Sequence, residues 1–331
     1  MDGANMEIGK VPNSTLERIV FNKLIKNRSE VMVRPGIGMD CTAIDFGDYA
    51  CVMSSDPITG TAKEIGRLAV HINCNDIASC GVEPLGLLVT ILCPAGSSEK
   101  ELDMIMGQLA SAAQSINVDI LGGHTEITNA VSRFVISCTA IGRCLKDKLI
   151  TTDGARDGDS LVITKHAGLE GASIIAHEKE TELTRELGIH TVNEAKSFIE
   201  QISVIKDGLT AAGFGVSAMH DVTEGGVLGA VWELCEASGT GADIHVEKIP
   251  VNMSTQKICE YYNIDPLKLI SSGCMLISAA DGEGLVKKLN SEGIMACVIG
   301  RLNNTGRKRV VSANGIKDIE TPGSDELYKV L

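Results

Sequence analysis

The stretch HDVTEGGVLGAVWEL, residues 220–234, decides the fold. The apolar run Val216–Met219 ahead of it reads as a strand, and Val227–Ala237 behind it reads as a helix. A strand that passes through an acid and two glycines into a helix is the recurring unit of an α/β chain. It also builds an anion-binding helix start, where free N–H groups and the helix dipole meet negative charge. On that reading Asp221 and Thr223 contact a ligand, with Glu224 a further candidate contact. On the plainer reading Thr223 caps the helix and no ligand is involved. His220 is either a base beside Asp221 or a satisfied structural histidine.

Four further segments place a carboxylate in or beside a turn: GIGMDC at 36–41, SSDPITG at 54–60, NCNDIASCG at 73–81 and GGHTE at 122–126. They contribute Asp40, Asp56, Asp76 and Glu126, and glycines at 36, 38, 122 and 123 let backbone approach a ligand closely. Magnesium takes oxygen ligands and is held by a few carboxylates together with nucleotide phosphates. Acids on separate segments suit it, and a chain of net charge −13 can gather them around a triphosphate only with cations between. Those acids, with Asp221 and Glu224, are therefore candidates for one site, expected to bind MgATP with Asp76 on metal and with Gly36, Gly38, Gly122, Gly123 and Thr223 within reach of the ligand. Lys63, Arg67 and Lys165 are candidates to neutralise phosphate, or are plain solvated basic residues. His124 is either structural or a ligand contact.

Around these segments the pattern alternates. Asn13–Asn27 has helical spacing, Ala43–Ser54 reads as two strands about an FGD turn, and Lys63–Cys80 is helical, with Leu68, His71, Ile72, Asn75 and Asp76 on one face. Leu85–Cys93 reads as a buried strand, Leu102–Ile116 as a helix, Val118–Leu121 as a strand that ends at GGHTE, and Arg133–Gly142 as a strand. TTDGARDGD at 151–159 is polar and turn-rich, so the expected domains are 1–150 and 151–331. The second half reads as strand Ser160–Thr164, helices at Ala172–His177 and Val192–Ala212, the 220–234 unit, strand Cys274–Ala279, helix Gly282–Glu292, strand Ala296–Leu302 and a basic hairpin near Asn303–Val311.

Composition bounds the function. The chain has 331 residues, 44% hydrophobic and 22% charged, as in globular proteins of about two domains. With 43 acidic against 30 basic residues and 3% aromatics, nucleic acid and anionic membrane surfaces are poor partners. The start MDGANMEIGK lacks an apolar signal core and no run approaches the ~18 residues of a membrane span, so a cytoplasmic protein is expected. The 11 cysteines include no CxxC pair, which favours reduced, buried thiols over a zinc site. P-loop, Rossmann and G-x-S-x-G patterns are missing, so a nucleotide site here uses another scaffold.

The order GIGMDC, SSDPITG, NDIASCG, GGHTE, GDSLVITK, DVTEGG and IDPLKLISSGCMLISA, from about Gly9 to Leu302, resembles the aminoimidazole ribonucleotide synthetase superfamily of ATP-dependent enzymes. The segments AKEIGRLAVHINCNDIASCG and DPLKLISSG are most similar to its hydrogenase-maturation carbamoyl dehydratase group. The resemblance implies a two-domain α/β (α+β) architecture and a homodimer, with ATP between the N-terminal domains of two subunits and the C-terminal domain of one. It places Asp40, Asp56 and Asp76 on the metal-binding acids, Gly36–Gly38 on the nucleotide-proximal loop and Asp221 on the acid of the C-terminal motif. It implies transfer of the ATP γ-phosphate to a small-molecule or amide acceptor, with a maturation protein as partner. The group carries a C-terminal cysteine, whereas this sequence ends TPGSDELYKVL with no cysteine after Cys297. An aminoimidazole ribonucleotide synthetase or thiamine-monophosphate kinase type of reaction, or a non-catalytic nucleotide-binding partner protein, therefore stays open. Selenophosphate synthetase fits less well, since no Cys-Lys segment precedes Cys41.

Overall fold

The structure is a computed structural model that describes residues 8–59 and 63–331. Gly60, the last residue of SSDPITG, and the first seven residues, on which the reading of an absent signal rests, lie outside the described residues. The N-terminal half runs α1 (Asn13–Ile19), β1 (Val31–Val33), β2 (Thr42–Phe46), β3 (Tyr49–Ile58), α2 (Ile65–Ser79), β4 (Pro84–Pro94), α3 (Glu99–Ser115), β5 (Asp119–Thr128) and β6 (Val135–Leu145). Its sheet has the order β1-β2-β3-β6-β4-β5. The β4–β5 pair is parallel, with α3 as its crossover, and the other pairs are antiparallel. α3 starts at a capping box, in which Glu101 accepts from the Ser98 N–H at 2.7 Å while the Ser98 hydroxyl accepts from the Glu101 N–H at 3.3 Å.

The second half runs β7 (Ser160–Thr164), α4 (Leu169–Glu178), α5 (Glu180–Leu187), α6 (Ile189–Ser197), α7 (Ile205–Phe214), β8 (Ala218–Val222), α8 (Gly226–Ser238), β9 (Gly241–His245), α9 (Met253–Tyr262), β10 (Cys274–Ala279), α10 (Gly282–Ser291), β11 (Ala296–Asn303), β12 (Lys308–Ser312) and β13 (Gly315–Asp318). The sheet order is β13-β12-β9-β11-β7-β10-β8. β7 and β10 are buried throughout because both faces are covered. Leu161, Ile163, Cys274 and Leu276 share a core with Val227, Val231 and Leu234 of α8. Val162, Met275 and Ile277 point the other way, into a core with Ala211 of α7 and Leu285 of α10. This is why the two strands read as unbroken apolar runs.

Several expectations change. The helix over 13–27 stops at Ile19 and is followed by a single 3-10 turn, Phe21–Lys23. The helix over 192–212 divides into α6 and α7, because Asn75 of α2 takes the polar groups of the link: it accepts from the Val204 N–H and donates to the Ile202 carbonyl, both at 2.9 Å. GGHTE lies inside β5, so Glu126 does not hang beyond a strand end. SSDPI likewise belongs to β3. The β2–β3 register ends at Met53, leaving Asp56 and Pro57 paired only with β6, and a strand paired on one side tolerates proline. β4 is not buried on both faces, since Leu85 is 51% and Leu88 43% exposed. α5, β9 and α9 have no counterpart in the sequence reading. The cysteines are free, eight of them buried. Among the described residues no helix is long and apolar enough to cross a membrane.

α2 is the element that positions the site. All of its residues except Arg67 are buried, so it has no solvent face. The sheet and α3 hold it on one side, and α7 and β8 of the second half hold it on the other. β8 is an edge of its sheet, and that edge packs on α2.

Candidate functional site

Four acids from four segments converge where β8 meets α2. Asp40 precedes β2, Asp56 lies in β3, Asp76 is one turn from the end of α2, and Asp221 lies in β8 opposite Met275 of β10. Each is held by its own local structure. The Asp56 backbone is clamped by Asn73, which accepts from the Asp56 N–H at 2.9 Å and donates to its carbonyl at 3.3 Å. Ser54, two residues back along the same face of β3, donates its hydroxyl to the Asp76 carboxyl. Cys41 places its thiol 3.1 Å from the Asp76 carbonyl, which ties the Asp40 loop to α2.

The electrostatics follow from burial. Asp76 and Asp221 are 2% and 1% exposed. Burial first, then the charges of Asp221, Asp56 and Asp40, push the Asp76 carboxyl well above the usual carboxylate range. Burial and the neighbouring Asp40 push Asp221 up to about 7, and burial raises Asp56. Four carboxyls this close do not all ionise unless cations join them. Both Asp221 oxygens, Asp40 Oδ2 and His220 Nδ1 are buried without a hydrogen-bond partner. His220 Nδ1 and Asp40 Oδ2 are 2.7 Å apart, at ion-pair distance but misaligned for a hydrogen bond. Orphaned oxygens in a buried acid cluster are the donor set of a hard cation, so the residues fit the Mg²⁺ that the sequence suggests.

Two side chains that sequence reasoning passed over complete this centre. Glu233 of α8 meets His220 Nε2 at 3.3 Å and Lys10 Nζ at 2.8 Å. Burial works against its charge, but His220 and Lys10 outweigh that and bring it down to about 2. His220 is likewise opposed by burial, yet Asp40 and Glu233 hold it well above its ordinary value. The available signal for Glu233 is a lone acid inside the apolar helix GVLGAVWELC, which has to find a buried partner. Lys10 gives no such signal.

The remaining candidates fall elsewhere. Gly38 sits at φ +70, and a Cβ there would lie 2.8 Å from the Glu233 carbonyl, so this glycine is needed for packing of the Asp40 loop on α8. Gly36 precedes it on the same loop. Thr223 does not cap α8: the cap is Gly225 at φ +83, and the Thr223 carbonyl accepts from the Gly226 N–H at 3.1 Å. Glu224 accepts from the Lys10 N–H at 3.0 Å and from the Tyr328 hydroxyl at 3.1 Å. The three basic candidates are engaged away from the acids. Lys63 donates to the His177 carbonyl, Arg67 pairs with Glu200 at 2.8 Å, and Lys165 pairs with buried Asp207 at 3.0 Å.

Gly122, Gly123, His124 and Glu126 lie on β5, the far edge of the first sheet. The registers run Asp56–Cys138–Val89–Gly123, so β5 is three strand spacings, about 14 Å, from Asp56 within one chain. A Cβ on Gly123 would lie 1.8 Å from the Val89 carbonyl, which explains the glycine without a ligand.

The chain is similar in sequence and in fold to known proteins. The model for the AIR synthase related protein N-terminal domain matches residues 38–144, and the model for its C-terminal domain matches 156–312. A putative hydrogenase expression/formation protein of Methanocaldococcus jannaschii is 27% identical over 329 residues, 95% of this chain and 96% of that protein. Carbamoyl dehydratase HypE of Rhodobacter capsulatus is 25% identical over 267 residues, 78% of this chain and 76% of that one. Among solved structures, the hydrogenase maturation protein HypE in complex with ATP shares the fold with a TM-score of 0.69 at 21% identity, over 90% of this chain and 92% of that one. Since the two domain models follow one another along the chain and together span most of it, the chain belongs to the AIR synthase-related family.

Proposed function

We propose that this protein is an ATP-dependent enzyme that transfers the γ-phosphate of ATP to a small-molecule or amide acceptor, in the manner of a hydrogenase-maturation factor. The observation that carries the reading is the convergence of Asp40, Asp56, Asp76 and Asp221 from both halves of the chain, with buried oxygens left unpaired. The relatives named for hydrogenase formation and carbamoyl dehydration, and the ATP complex of one structural neighbour, support the nucleotide and the reaction class. In this proposal Asp40, Asp56, Asp76 and Asp221 hold Mg²⁺, which when bound neutralises phosphate charge. Residues 1–150 form the ATP- and Mg²⁺-binding and dimerisation domain, and 151–331 the C-terminal domain.

The chain's own residues do the positioning. Ser54 holds the Asp76 carboxyl through its hydroxyl, and Asn73 clamps the backbone that carries Asp56. The Gly36–Gly38 loop carries Asp40, and His220 and Asp221 at the β8 edge close the site from the second half. Gly122, Gly123 and Glu126 join it from the partner subunit of a homodimer, across the sheet face on which Leu85 and Leu88 are exposed. A maturation protein is the expected macromolecular partner.

Phosphate release is measured at steady state with MgATP, alone and with amides, carbamoyl compounds, thiamine phosphate and formylglycinamidine ribonucleotide. The expected result is slow release that one acceptor class stimulates at least about tenfold. ATP binding without release under any acceptor would favour a non-catalytic nucleotide-binding partner protein. Failure to bind MgATP would overturn the proposal.

A further inference from the structure

The atoms of the acid centre that lack a hydrogen-bond partner are gathered at one point. A His220 ring nitrogen, an Asp221 oxygen and an Asp40 oxygen all lie within 4.8 Å of one another, the one such group of three found among the described residues, and Nδ1 is the nitrogen that faces Asp40 Oδ2, at 2.7 Å. His220 and Asp221 are each 1% exposed, so bulk water does not satisfy them. One donor of the three is a nitrogen. The other ring nitrogen, Nε2, is braced by Glu233 at 3.3 Å, and Glu233 is braced in turn by Lys10 at 2.8 Å. A carboxylate that holds one imidazole nitrogen, so that the other faces a cation, is the usual outer shell of a metal-ligating histidine.

We infer that His220 ligates a divalent ion through Nδ1 together with Asp40 and Asp221, and that this ion is of the Mn²⁺-to-Zn²⁺ transition-metal class in preference to Mg²⁺. The inference rests on the proposed metal-binding role of the acid centre and names the ligand and metal class at one position of it. Mg²⁺ selects oxygen donors, whereas imidazole suits zinc, iron and nickel, and mixed nitrogen–oxygen sites follow the Irving–Williams order. Asp56 and Asp76 offer oxygen alone and remain suited to Mg²⁺. Binding of the ion places a cation between Nδ1 and Asp40 Oδ2, where the two atoms now face each other at 2.7 Å. Any proton on Nδ1 leaves to solvent. Lys10 is then a positioning residue: it balances Glu233, so Glu233 need not draw His220 out of the site.

The test uses the full chain and Mn²⁺ alone, without nucleotide. Electron spin-echo envelope modulation of bound Mn²⁺ reads a directly coordinated nitrogen, and ¹⁵N-histidine labelling of the wild type identifies it as imidazole whether or not any variant folds. The expected result is one tightly bound Mn²⁺ with imidazole modulation, lost in His220→Gln and retained in Glu233→Gln at about tenfold weaker affinity. Zn²⁺ is expected to displace this ion at a concentration at least about a hundredfold lower than Mg²⁺. Bound Mn²⁺ without nitrogen modulation would overturn the inference and leave the all-oxygen reading of the acid centre intact. So would modulation that persists unchanged in His220→Gln. Absence of any Mn²⁺ binding to the wild type would overturn both this inference and the metal role in the proposed function.

Discussion

Two histidine–carboxylate pairs in this molecule have similar distances and opposite consequences. His124 and Glu126 meet at 3.1 Å on β5, with side chains 64% and 48% exposed. His220 and Asp40 meet at 2.7 Å, with side chains 1% and 23% exposed. On the edge strand water screens the pair, which contributes roughly 0–1 kcal/mol at most. At the β8 edge the same chemistry is surrounded by Asp76, Asp221 and Glu233, and protonation of each group depends on the others. Proximity between ionisable groups is cheap; exclusion of water turns it into a site.

The largest expected effect breaks the buried side of that comparison. Asp76→Asn keeps the shape of the side chain and its contact with Ser54 but removes a ligand charge. MgATP affinity measured by calorimetry should fall at least about a hundredfold. Stability of the metal-free protein to urea should hold or rise, because a buried, repelled carboxyl is gone. Asp76→Ala should lose binding equally, with a modest cost to the fold. Unchanged affinity would show that the cluster is structural.

Next comes pH. Asp221 has a folded pKa of about 7, above the ~3.9 of an unfolded aspartate, so the folded state holds more protons between these values and stability falls as pH rises. The raised pKa of His220 acts in the same direction, its stabilisation being complete below about pH 6.5 and lost as pH climbs through its folded value. Glu233 at about 2 contributes fully above its unfolded pKa of ~4.3 and adds no slope there. The metal-free protein should therefore weaken from pH 5 to 8, by at most about 3 kcal/mol from Asp221, and divalent cation should flatten the curve. A metal-free curve that rises over this range would contradict the burial argument.

The exposed side is sharpened by assembly. A homodimer is expected at micromolar concentration by light scattering, and Leu88→Lys, on the open face of the first sheet, should shift it toward monomer. MgATP affinity should fall about tenfold with it if β5 serves the partner's site. A monomer that binds MgATP normally would confine the site to one chain. Smallest is His124→Ala, expected to change monomer stability by less than about 1 kcal/mol in thermal denaturation. A larger loss would mean that the β5 pair is not screened as its exposure implies.

Much of the fold was legible because β7, β10 and the 220–234 unit carry their pattern locally: unbroken apolar runs for strands covered on both faces, and Gly225 at a conformation that glycine adopts without strain. The division of the helix over 192–212 was not legible, since the hydrogen bonds that replace helix there come from Asn75, more than a hundred residues earlier. The same holds for GGHTE, where strand partners on β4 decided against a turn.

The sequence by itself determined the inventory of the candidate site: glycine-flanked acids at 40, 56, 76 and 221, a scaffold other than a P-loop, and eleven cysteines suited to burial as free thiols. Which of those acids meet, and with which cations, was decided only by tertiary structure. The packing of α2 between the two sheets brings Asp40, Asp76 and Asp221 together, leaves Glu126 on a distant edge, and recruits Lys10 and Glu233. The physical reason is that a strand or helix pattern records which face of an element is apolar, whereas the loss of solvent that couples one carboxylate to another depends on elements far apart in the chain.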